Sequence, residues 1–366
     1  MTAIRPGLSL VDEMKRRVPP LRHDRDEWTR RMMRWHFSPE TGSPFWLNKR
    51  PELAFDPVRD VTEYAALELF GPFDKAALRA ARARDLLPQG FVGQPFRVME
   101  TGGTTGAPCR VVDVTRGGYD VAMYRVMLKA RGLDGADLLA MTPSGPHAYG
   151  HFVARLADSW GGAAHFIDFD PRWVKKSLLA NGSARDYVAH LIEQTTVLLA
   201  AEQPGLLFTT SRLLLELAAE LPRPLATYGV RAVCTGGTSC SAEEVRYLRE
   251  EHLDGVQWID TYGNTLMGHA LQADSEVPGT AHSYHLPPPL AFIEVVDPAR
   301  PTQPVAPGRR GRVLVNTLLE DLFIPNLLER DSVIRVGPHE WFPWDGVAEV
   351  QPYRDDSENE ATEGVY

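Results

Sequence analysis

A loop of glycines and threonines is the segment of this sequence best suited to hold phosphate. It spans 101–108, reads TGGTTGAP, and directly follows the strand-like residues 96–99. Glycines let successive backbone N–H groups converge on an anion, and threonine hydroxyls add neutral donors that do not crowd it. The spacing fits neither the Walker A loop nor the dinucleotide-binding fingerprint. Alone, such a loop is equally compatible with a solvent turn, so its companions must decide.

Four companion segments follow along the chain. Residues 143–151 read PSGPHAYGH, and 234–241 read CTGGTSCS at the end of a strand-like run. Residues 260–265 read DTYGNT, and the segment 319–331 ends in Glu-Arg-Asp. The order and spacing of these segments are more specific than any one of them.

In that order and spacing the motifs resemble those of the adenylate-forming superfamily of acyl-CoA synthetases, peptide-synthetase adenylation domains and luciferases. The resemblance covers about residues 90–335. It implies that the substrates are ATP and a carboxylic acid. The carboxylate would attack the α-phosphate in line, pyrophosphate would leave, and the acyl-adenylate would pass to an amine or thiol.

The resemblance also implies a role for each matched residue. Thr104 and Thr105 would hold the β- and γ-phosphates and Thr265 the α-phosphate, so that catalysis is positioning and charge stabilisation. Tyr262 would stack on adenine, and Asp331 would accept both ribose hydroxyls. The alternatives are that Tyr262 is a packed core aromatic and that Asp331 is a solvated loop acid. The other nucleotide-binding candidates are Thr101, Gly102, Gly103, Gly106, Gly236, Gly237, Asp260 and Gly263.

The acyl pocket is predicted from the aromatic segment 143–151. Within the superfamily the chain most resembles the phenylacetate–CoA ligase branch, which activates aryl acids. In length it resembles a short relative that processes griseoluteic acid in phenazine antibiotic biosynthesis. We therefore expect an aromatic acid and a place in secondary metabolism, although a structural role for any single histidine remains open. The pocket candidates are His147, Tyr149, Gly150, His151 and Asn264.

Several positions depart from the family pattern. Leu266 stands where a glutamate usually holds magnesium, which puts metal binding in doubt. Cys109 and Arg110 occupy the place of a Lys or Thr, and Asn326 that of an Arg. The chain ends 35 residues after Asp331, so we expect the mobile C-terminal lid domain with its lysine to be absent.

These departures favour one alternative function, a catalytically impaired acyl- and nucleotide-binding protein that needs a partner. The partner would be an acceptor or a protein that supplies the lid. A reductase or acyltransferase on a related sheet is a weaker alternative, because no Rossmann fingerprint or Ser-His-Asp spacing supports it.

The fold that must position these residues is predicted to be α/β. From about residue 95, strand-length apolar runs alternate with helical periods, which indicates doubly wound mixed sheets with crossover helices. Helical faces over 119–130 and 188–199, and a capping box at 241–244, fit between the strands. Beyond 290 a small β-barrel-like part or a distorted hairpin sheet is expected. The predicted strands are 138–143, 163–169, 205–209, 230–235, 256–261, 290–296 and 311–317.

The predicted domain bounds are 1–90 for a wrapping helical segment, 91–285 for the nucleotide- and acyl-binding core, 286–345 for a small β subdomain and 346–366 for an acidic tail. The net charge of −9, without any Lys/Arg-rich block, does not favour nucleic acid. No apolar run has the length of a signal peptide or membrane span, so we expect a cytoplasmic protein without a membrane partner. A homodimer is compatible with the sequence.

The three cysteines, Cys109, Cys234 and Cys240, show no CxxC spacing. An odd number of cysteines without that spacing argues against a disulfide framework or a zinc site. The sequence therefore predicts small, buried or half-buried free thiols.

Overall fold

The computed structural model describes residues 9–102, 107–179, 184–237, 240–274 and 282–353 of the chain. These residues form two compact units. Unit 1 is Tyr124–Gly263, and the described part of unit 2 is 9–123 together with 264–353. The predicted core segment 91–285 is thus divided between the two units. No helix in the described ranges is long and apolar enough to cross a membrane.

The helices belong to both units. The α-helices are α1 (Leu10–Arg17), α2 (Arg25–Phe37), α3 (Pro44–Lys49), α4 (Pro57–Asp60), α5 (Lys75–Ala80), α6 (Ala83–Leu86), α7 (Arg116–Ala130), α8 (Ala148–Asp158), α9 (Pro171–Leu179), α10 (Arg185–Glu202), α11 (Ser211–Glu220) and α12 (Ala242–Tyr247). Short 3₁₀ segments lie at Pro19–Arg22, Arg50–Glu52, Tyr64–Phe70, Gln89–Phe91 and Leu225–Tyr228, and a π-turn at Leu248–His252.

Fourteen strands lie in the described ranges. They are β1 (Arg97–Glu100), β2 (Arg110–Asp113), β3 (Leu138–Pro143), β4 (Ala164–Phe169), β5 (Leu206–Thr209), β6 (Ala232–Gly236), β7 (Gln257–Asn264), β8 (Gly268–Asp274), β9 (His282–His285), β10 (Ala291–Asp297), β11 (Arg300–Pro304), β12 (Arg310–Leu318), β13 (Phe323–Val336) and β14 (Gly346–Pro352).

Unit 1 is built on a parallel sheet with the strand order β7-β6-β5-β3-β4. The order reverses at β3, because the chain goes to β4 on one side of β3 and returns to β5 on the other. Every residue of β3 and β5 is buried, as expected for parallel strands covered on both faces. All five strands predicted here are present, and the reversal confirms the predicted doubly wound arrangement.

The helices of unit 1 follow the predicted signals. Ser241 caps α12 through the backbone N–H of Glu244, whose carboxylate accepts the backbone N–H of Ser241, so the predicted capping box is present. In α10 the buried face contains Leu191, Ile192 and Leu199. These side chains join the apolar core that also includes the side chains of β3 and β5.

Unit 2 contains an antiparallel sheet with the order β11-β10-β12-β13-β14-β9-β8, and a separate antiparallel pair, β1-β2. Within the described residues these strands follow one another in an open, linear order with bulges, so the sheet agrees with the predicted distorted hairpin sheet and not with the barrel-like alternative. The edge strand β11 is exposed at all five positions. Two of its residues, Pro301 and Pro304, have no N–H to donate to a further strand.

The N-terminal helices of unit 2 begin at strong caps and pack on its sheet. The side chains of Asp24, Ser43 and Asp74 accept backbone N–H groups in the first turns of α2, α3 and α5. Trp46 lies 4.9 Å from Phe323 between ring centroids, and its indole N–H donates to the Phe323 carbonyl. The helices are therefore held to β13 by aromatic packing and indole hydrogen bonds.

Candidate functional site

In unit 1 the predicted pocket residues lie where β3 and β5 diverge. Open α/β sheets bind ligands at the carboxyl ends of strands where the strand order reverses. Helix α8 begins just after β3, with His147 as its N-cap residue and Tyr149 and Gly150 in its first turn. A Cβ on Gly150 would lie 2.0 Å from the Pro143 carbonyl oxygen. Only glycine therefore lets α8 begin so close to the strand.

Tyr149 connects three strand ends of unit 1. Its hydroxyl lies 3.3 Å from the Thr209 carbonyl and 3.2 Å from the Cys234 carbonyl, and it can donate to either. Burial, with smaller contributions from Cys234 and Asp260, raises the pKa of Tyr149 well above its usual range. A Cβ on Gly236 would meet the Tyr149 ring at 3.6 Å. The backbone at Gly236 therefore lies against a neutral aromatic side chain.

The ends of β6 and β7 carry the other predicted residues of unit 1. The Thr235 hydroxyl donates to the Asp260 carboxylate and accepts the indole N–H of Trp258 at 2.8 Å. Gly237 has a φ of +86°, which L side chains rarely adopt, so the turn after β6 requires glycine. Tyr262 and Gly263 end β7 and are partly buried, as is His151 in α8.

The three cysteines are free thiols, as predicted, and two of them are fully buried. Burial raises the pKa of Cys234 to about 12, and that of Cys240 to about 11 with help from Glu244. Burial also raises the pKa of Cys109. None of the three resembles an activated nucleophile, because such residues have a lowered pKa.

In unit 2 the base of the predicted phosphate loop is closed by hydrogen bonds. The backbone N–H of Thr101 donates to the Cys109 carbonyl at 3.0 Å, and that of Cys109 to the Thr101 hydroxyl at 2.9 Å. From helix α5, Arg79 donates to the Ala107 carbonyl at 3.0 Å. Gly102 is exposed at the start of the loop. The predicted Gly103, Thr104, Thr105 and Gly106 lie outside the described residues.

A buried carboxylate connects α5 with the Asn264 position of unit 2. Glu329 is 6% exposed and accepts Lys75 Nζ at 2.9 Å and Asn264 Nδ2 at 3.0 Å. The Lys75 carbonyl in turn accepts the Cys109 thiol at 3.8 Å. A lysine at the loop base is therefore paired with a glutamate rather than with solvent.

Thr265 lies next to the strand that leads into the phosphate loop. Its hydroxyl is 3.4 Å from the Glu100 carbonyl, and Glu100 also pairs with Arg110 at 3.1 Å. The guanidinium of Arg116 donates to the carbonyl of Thr265 and, at 3.0 Å, to that of Asn264. Thr265 and the residue that precedes the predicted phosphate loop are thus neighbours within unit 2.

The position after Thr265 offers no metal ligand. Leu266 is 2% exposed and its side chain is part of the core of unit 2. In the described part of the chain, no group of three or more His, Cys, Asp or Glu side chains could hold a metal ion. Among the described residues, the turn that contains Thr265 and Leu266 thus has no set of side chains suited to magnesium.

Asp331 and Asn326 both lie in β13. Asp331 is partly buried, lies opposite Pro352 of β14, and follows Glu329 by two residues in a bulged part of β13. Asn326 has a φ of +50°, which asparagine tolerates, and its amide donates to the carbonyls of Leu67 and Gly71. The arginine expected from the motif resemblance is thus replaced by Asn326, which connects β13 to the segment that contains Leu67 and Gly71.

Within each unit the structure brings predicted residues together. Unit 1 gathers His147, Tyr149, Gly150, Gly236 and Asp260, and unit 2 gathers Thr101, Asn264 and Thr265. Sequence reasoning missed Lys75, Arg79, Glu329 and Arg116. Only Glu329 had a usable signal, because it lies within the predicted segment 319–331, two residues before Asp331.

Similar folds occur among solved structures. 2-Hydroxyisobutyryl-CoA ligase, in an open conformation with 2-HIB-AMP and CoA, matches with a TM-score of 0.66 at 16% identity, over 97% of this chain and 80% of that chain. The same ligase in the thioesterification state matches with a TM-score of 0.62 at 17% identity, over 97% of this chain and 73% of that chain. In the postadenylation state with R3-HIB-AMP, the ligase matches with a TM-score of 0.62 at 16% identity, over 94% of this chain and 71% of that chain. The chain therefore has the α/β fold of this acyl-CoA ligase. No family model and no curated protein matches its sequence.

Proposed function

We propose that this chain uses ATP to activate an aromatic carboxylic acid as its acyl-adenylate. A carboxylate oxygen bonds to the α-phosphorus, the bond from that phosphorus to the pyrophosphate oxygen breaks, and pyrophosphate leaves with the electron pair. The product is a mixed anhydride that an amine or a thiol can later attack. No covalent bond to the protein forms.

The contact between Thr265 and Glu100 carries the proposal. These residues are 165 positions apart, and the hydroxyl of the first lies 3.4 Å from the carbonyl of the second, one residue before the phosphate loop. A predicted α-phosphate donor and a predicted β,γ-phosphate loop are therefore side by side, as in-line transfer of an adenylyl group requires.

The remaining roles, apart from that of Lys75, are those that the resemblance to adenylate-forming enzymes implies. The loop N–H groups with Thr104 and Thr105 hold the β- and γ-phosphates, and Lys75 supplies positive charge at the loop base. Tyr262 stacks on adenine and Asp331 accepts the ribose hydroxyls.

The acid is flat and apolar. The crevice of unit 1 presents an aromatic ring, Tyr149, and the small Gly236, together with neutral hydrogen-bonding groups. Such a surface suits an aryl group, whereas a second carboxylate would lose hydration there without gaining a cation. This agrees with the resemblance to aryl-acid ligases and to the griseoluteic acid-processing relative, and hence with a role in secondary metabolism.

The acyl acceptor is a small thiol or amine. The structurally similar ligase is named for CoA and was solved with it, so CoA is the first acceptor to try. A cytoplasmic location and a homodimer remain predictions.

Exchange of labelled pyrophosphate into ATP tests the activity directly. We expect exchange with benzoate- or phenazine-type acids, and much less with succinate or 2-hydroxyisobutyrate. Thr265→Val should lower kcat by ~10²- to 10³-fold, the usual loss for one preorganised donor. Thr196→Val removes a hydroxyl that bonds only its own helix carbonyl, Ile192, and serves as the control. No exchange with any acid, from protein that is folded, contradicts the proposal.

A binding protein without turnover is the second candidate. Leu266 favours it, because a buried apolar side chain stands where the family holds its metal. Calorimetry separates the two candidates. Binding of ATP and of an aryl acid without pyrophosphate exchange identifies the binding protein.

A further inference from the structure

Three ionisable side chains, Arg116, Asp120 and His269, form a buried cluster in unit 2 that has no role so far. Arg116 is 8% exposed and Asp120 is 9% exposed. The Asp120 carboxylate lies 3.5 Å from Arg116 Nε and 3.2 Å from His269 Nδ1. Burial opposes ionisation of Asp120, but the hydrogen bond with His269 and the charges of His269 and Arg116 outweigh it and lower its pKa. Burying charge is costly, so the cluster depends on further hydrogen bonds to offset that cost.

The cluster holds the turn that contains Thr265. The two terminal nitrogens of Arg116 donate to the successive carbonyls of Asn264 and Thr265. The next carbonyl, that of Leu266, accepts the Thr317 hydroxyl at 2.7 Å. The backbone N–H of Leu266 donates to the Asn264 side chain at 2.8 Å. The turn 264–267 is thus fixed at three consecutive carbonyls.

Arg116 itself is anchored from both ends. The Asp321 carboxylate accepts the backbone N–H groups of Val114 and Thr115 at 2.7 Å and that of Arg116 at 3.2 Å, at the start of α7. Gly268, with a φ of +96°, passes over the cluster, and a Cβ there would lie 3.6 Å from both Arg116 and Asp120. The planar guanidinium therefore has little freedom, which a flexible lysine would not reproduce.

We propose that Arg116, oriented by Asp120 and His269, is a positioning residue that fixes Thr265 for its contact with the α-phosphate. This inference rests on the proposed function. Arg116 acts through the backbone of Thr265 and touches no substrate. A substitution away from the reacting atoms that displaces a positioned group by about 1 Å can lower the rate ~10²-fold. Binding of ATP in the ground state depends on other contacts and should change little.

Two substitutions of Arg116, with a control at Arg125 on the same helix, test the positioning role. Arg116→Met should lower kcat for pyrophosphate exchange roughly 100-fold and leave KM for ATP within about threefold, the pattern for an interaction that matters only in the transition state. The kcat of Arg116→Lys should lie between those of Arg116→Met and the wild type. Arg125→Met is the matched control, because Arg125 also lies on α7, pairs with Asp134 and donates to a carbonyl, that of Ser159.

Amide hydrogen exchange gives a readout that needs no activity. The amide of Leu266 should be protected in the wild type and exchange faster in Arg116→Met, with no such change in Arg125→Met. Fast exchange of the Leu266 amide in the wild type would show that the turn is not fixed, and it would overturn the positioning role of Arg116 whatever the activity.

The kinetic outcomes separate the two proposals. Three outcomes would overturn the positioning role alone. They are an unchanged kcat in folded Arg116→Met, an equal loss of kcat in Arg125→Met, and a rise in KM for ATP in place of the loss in kcat. A wild type without pyrophosphate exchange overturns the proposed function, and the positioning role with it.

Discussion

The two units hold their predicted site residues by different kinds of interaction. In unit 1 the contacts of Tyr149 are neutral, because its hydroxyl lies against the carbonyls of Thr209 and Cys234. In unit 2 the pair of Lys75 with Glu329 and the pair of Arg116 with Asp120 are ionic.

This difference matches the two halves of the proposed substrates. The neutral surface around Tyr149 favours a flat apolar group, because such a group needs no charged partner. The ammonium group of Lys75, held by Glu329, favours phosphate oxygens, and Arg116 holds the turn that contains Thr265. Sensitivity to removal of a charge and to acid should therefore be concentrated in unit 2, and the predictions below test that division.

The largest effect on stability should come from Lys75→Met. It leaves Glu329, whose side chain is 8% exposed, without its cation, and breaking such a pair costs about 3 kcal/mol in the free energy of unfolding. Chemical denaturation measures the loss, and Lys75→Met combined with Glu329→Gln should recover part of it. Arg82→Met removes an exposed partner of Asp85 and should change little. Equal losses in the two single variants would contradict the ionic character of unit 2.

Acid should destabilise unit 2 through its buried histidines. Burial lowers the pKa of His36 to about 4, against the opposing hydrogen bond to the Leu319 carbonyl, and burial likewise lowers that of His285 to about 4. The unfolded chain therefore takes up protons that the folded chain excludes between the ordinary value near 6.5 and pH 4. Stability is fully present above that ordinary value and is lost as the pH falls.

The loss from His36 alone should reach about 2 kcal/mol by pH 5. His36→Gln retains a donor for the Leu319 carbonyl but does not titrate. Denaturation curves at several pH values should therefore fall less steeply for this variant than for the wild type. Identical slopes would exclude His36 as a source of the acid sensitivity.

The smallest effect should be in unit 1. Tyr149→Phe removes one neutral hydrogen bond to a strand-end carbonyl, which is worth about 1 kcal/mol. Because no charge is involved, the change in unfolding free energy should not depend on salt. Tyr228→Phe is the control, since the Tyr228 hydroxyl makes no hydrogen bond within the described residues. A salt-dependent effect at Tyr149 would break the distinction between the units.

Local sequence was sufficient for much of unit 1. The run Leu138–Pro143 is apolar apart from Thr142 and buried at every position, so a continuous apolar pattern predicted a central strand. The capping box at Ser241 is a local signal and was found as such. By contrast, the 14-residue strand β13 was missed, because bulges interrupt its alternation of buried and exposed positions.

The sequence by itself determined which residues could bind phosphate, because the glycines and threonines of the first loop and Thr265 lie in short, recognisable motifs. Only the tertiary structure decided which charges support them. Lys75 meets Glu329 across 254 positions, and Arg116 meets Thr265 across 149. A lysine or arginine destined for a buried pair has the same local pattern as one exposed to solvent, so only folding, which removes it from water beside a particular carboxylate or carbonyl, reveals the difference.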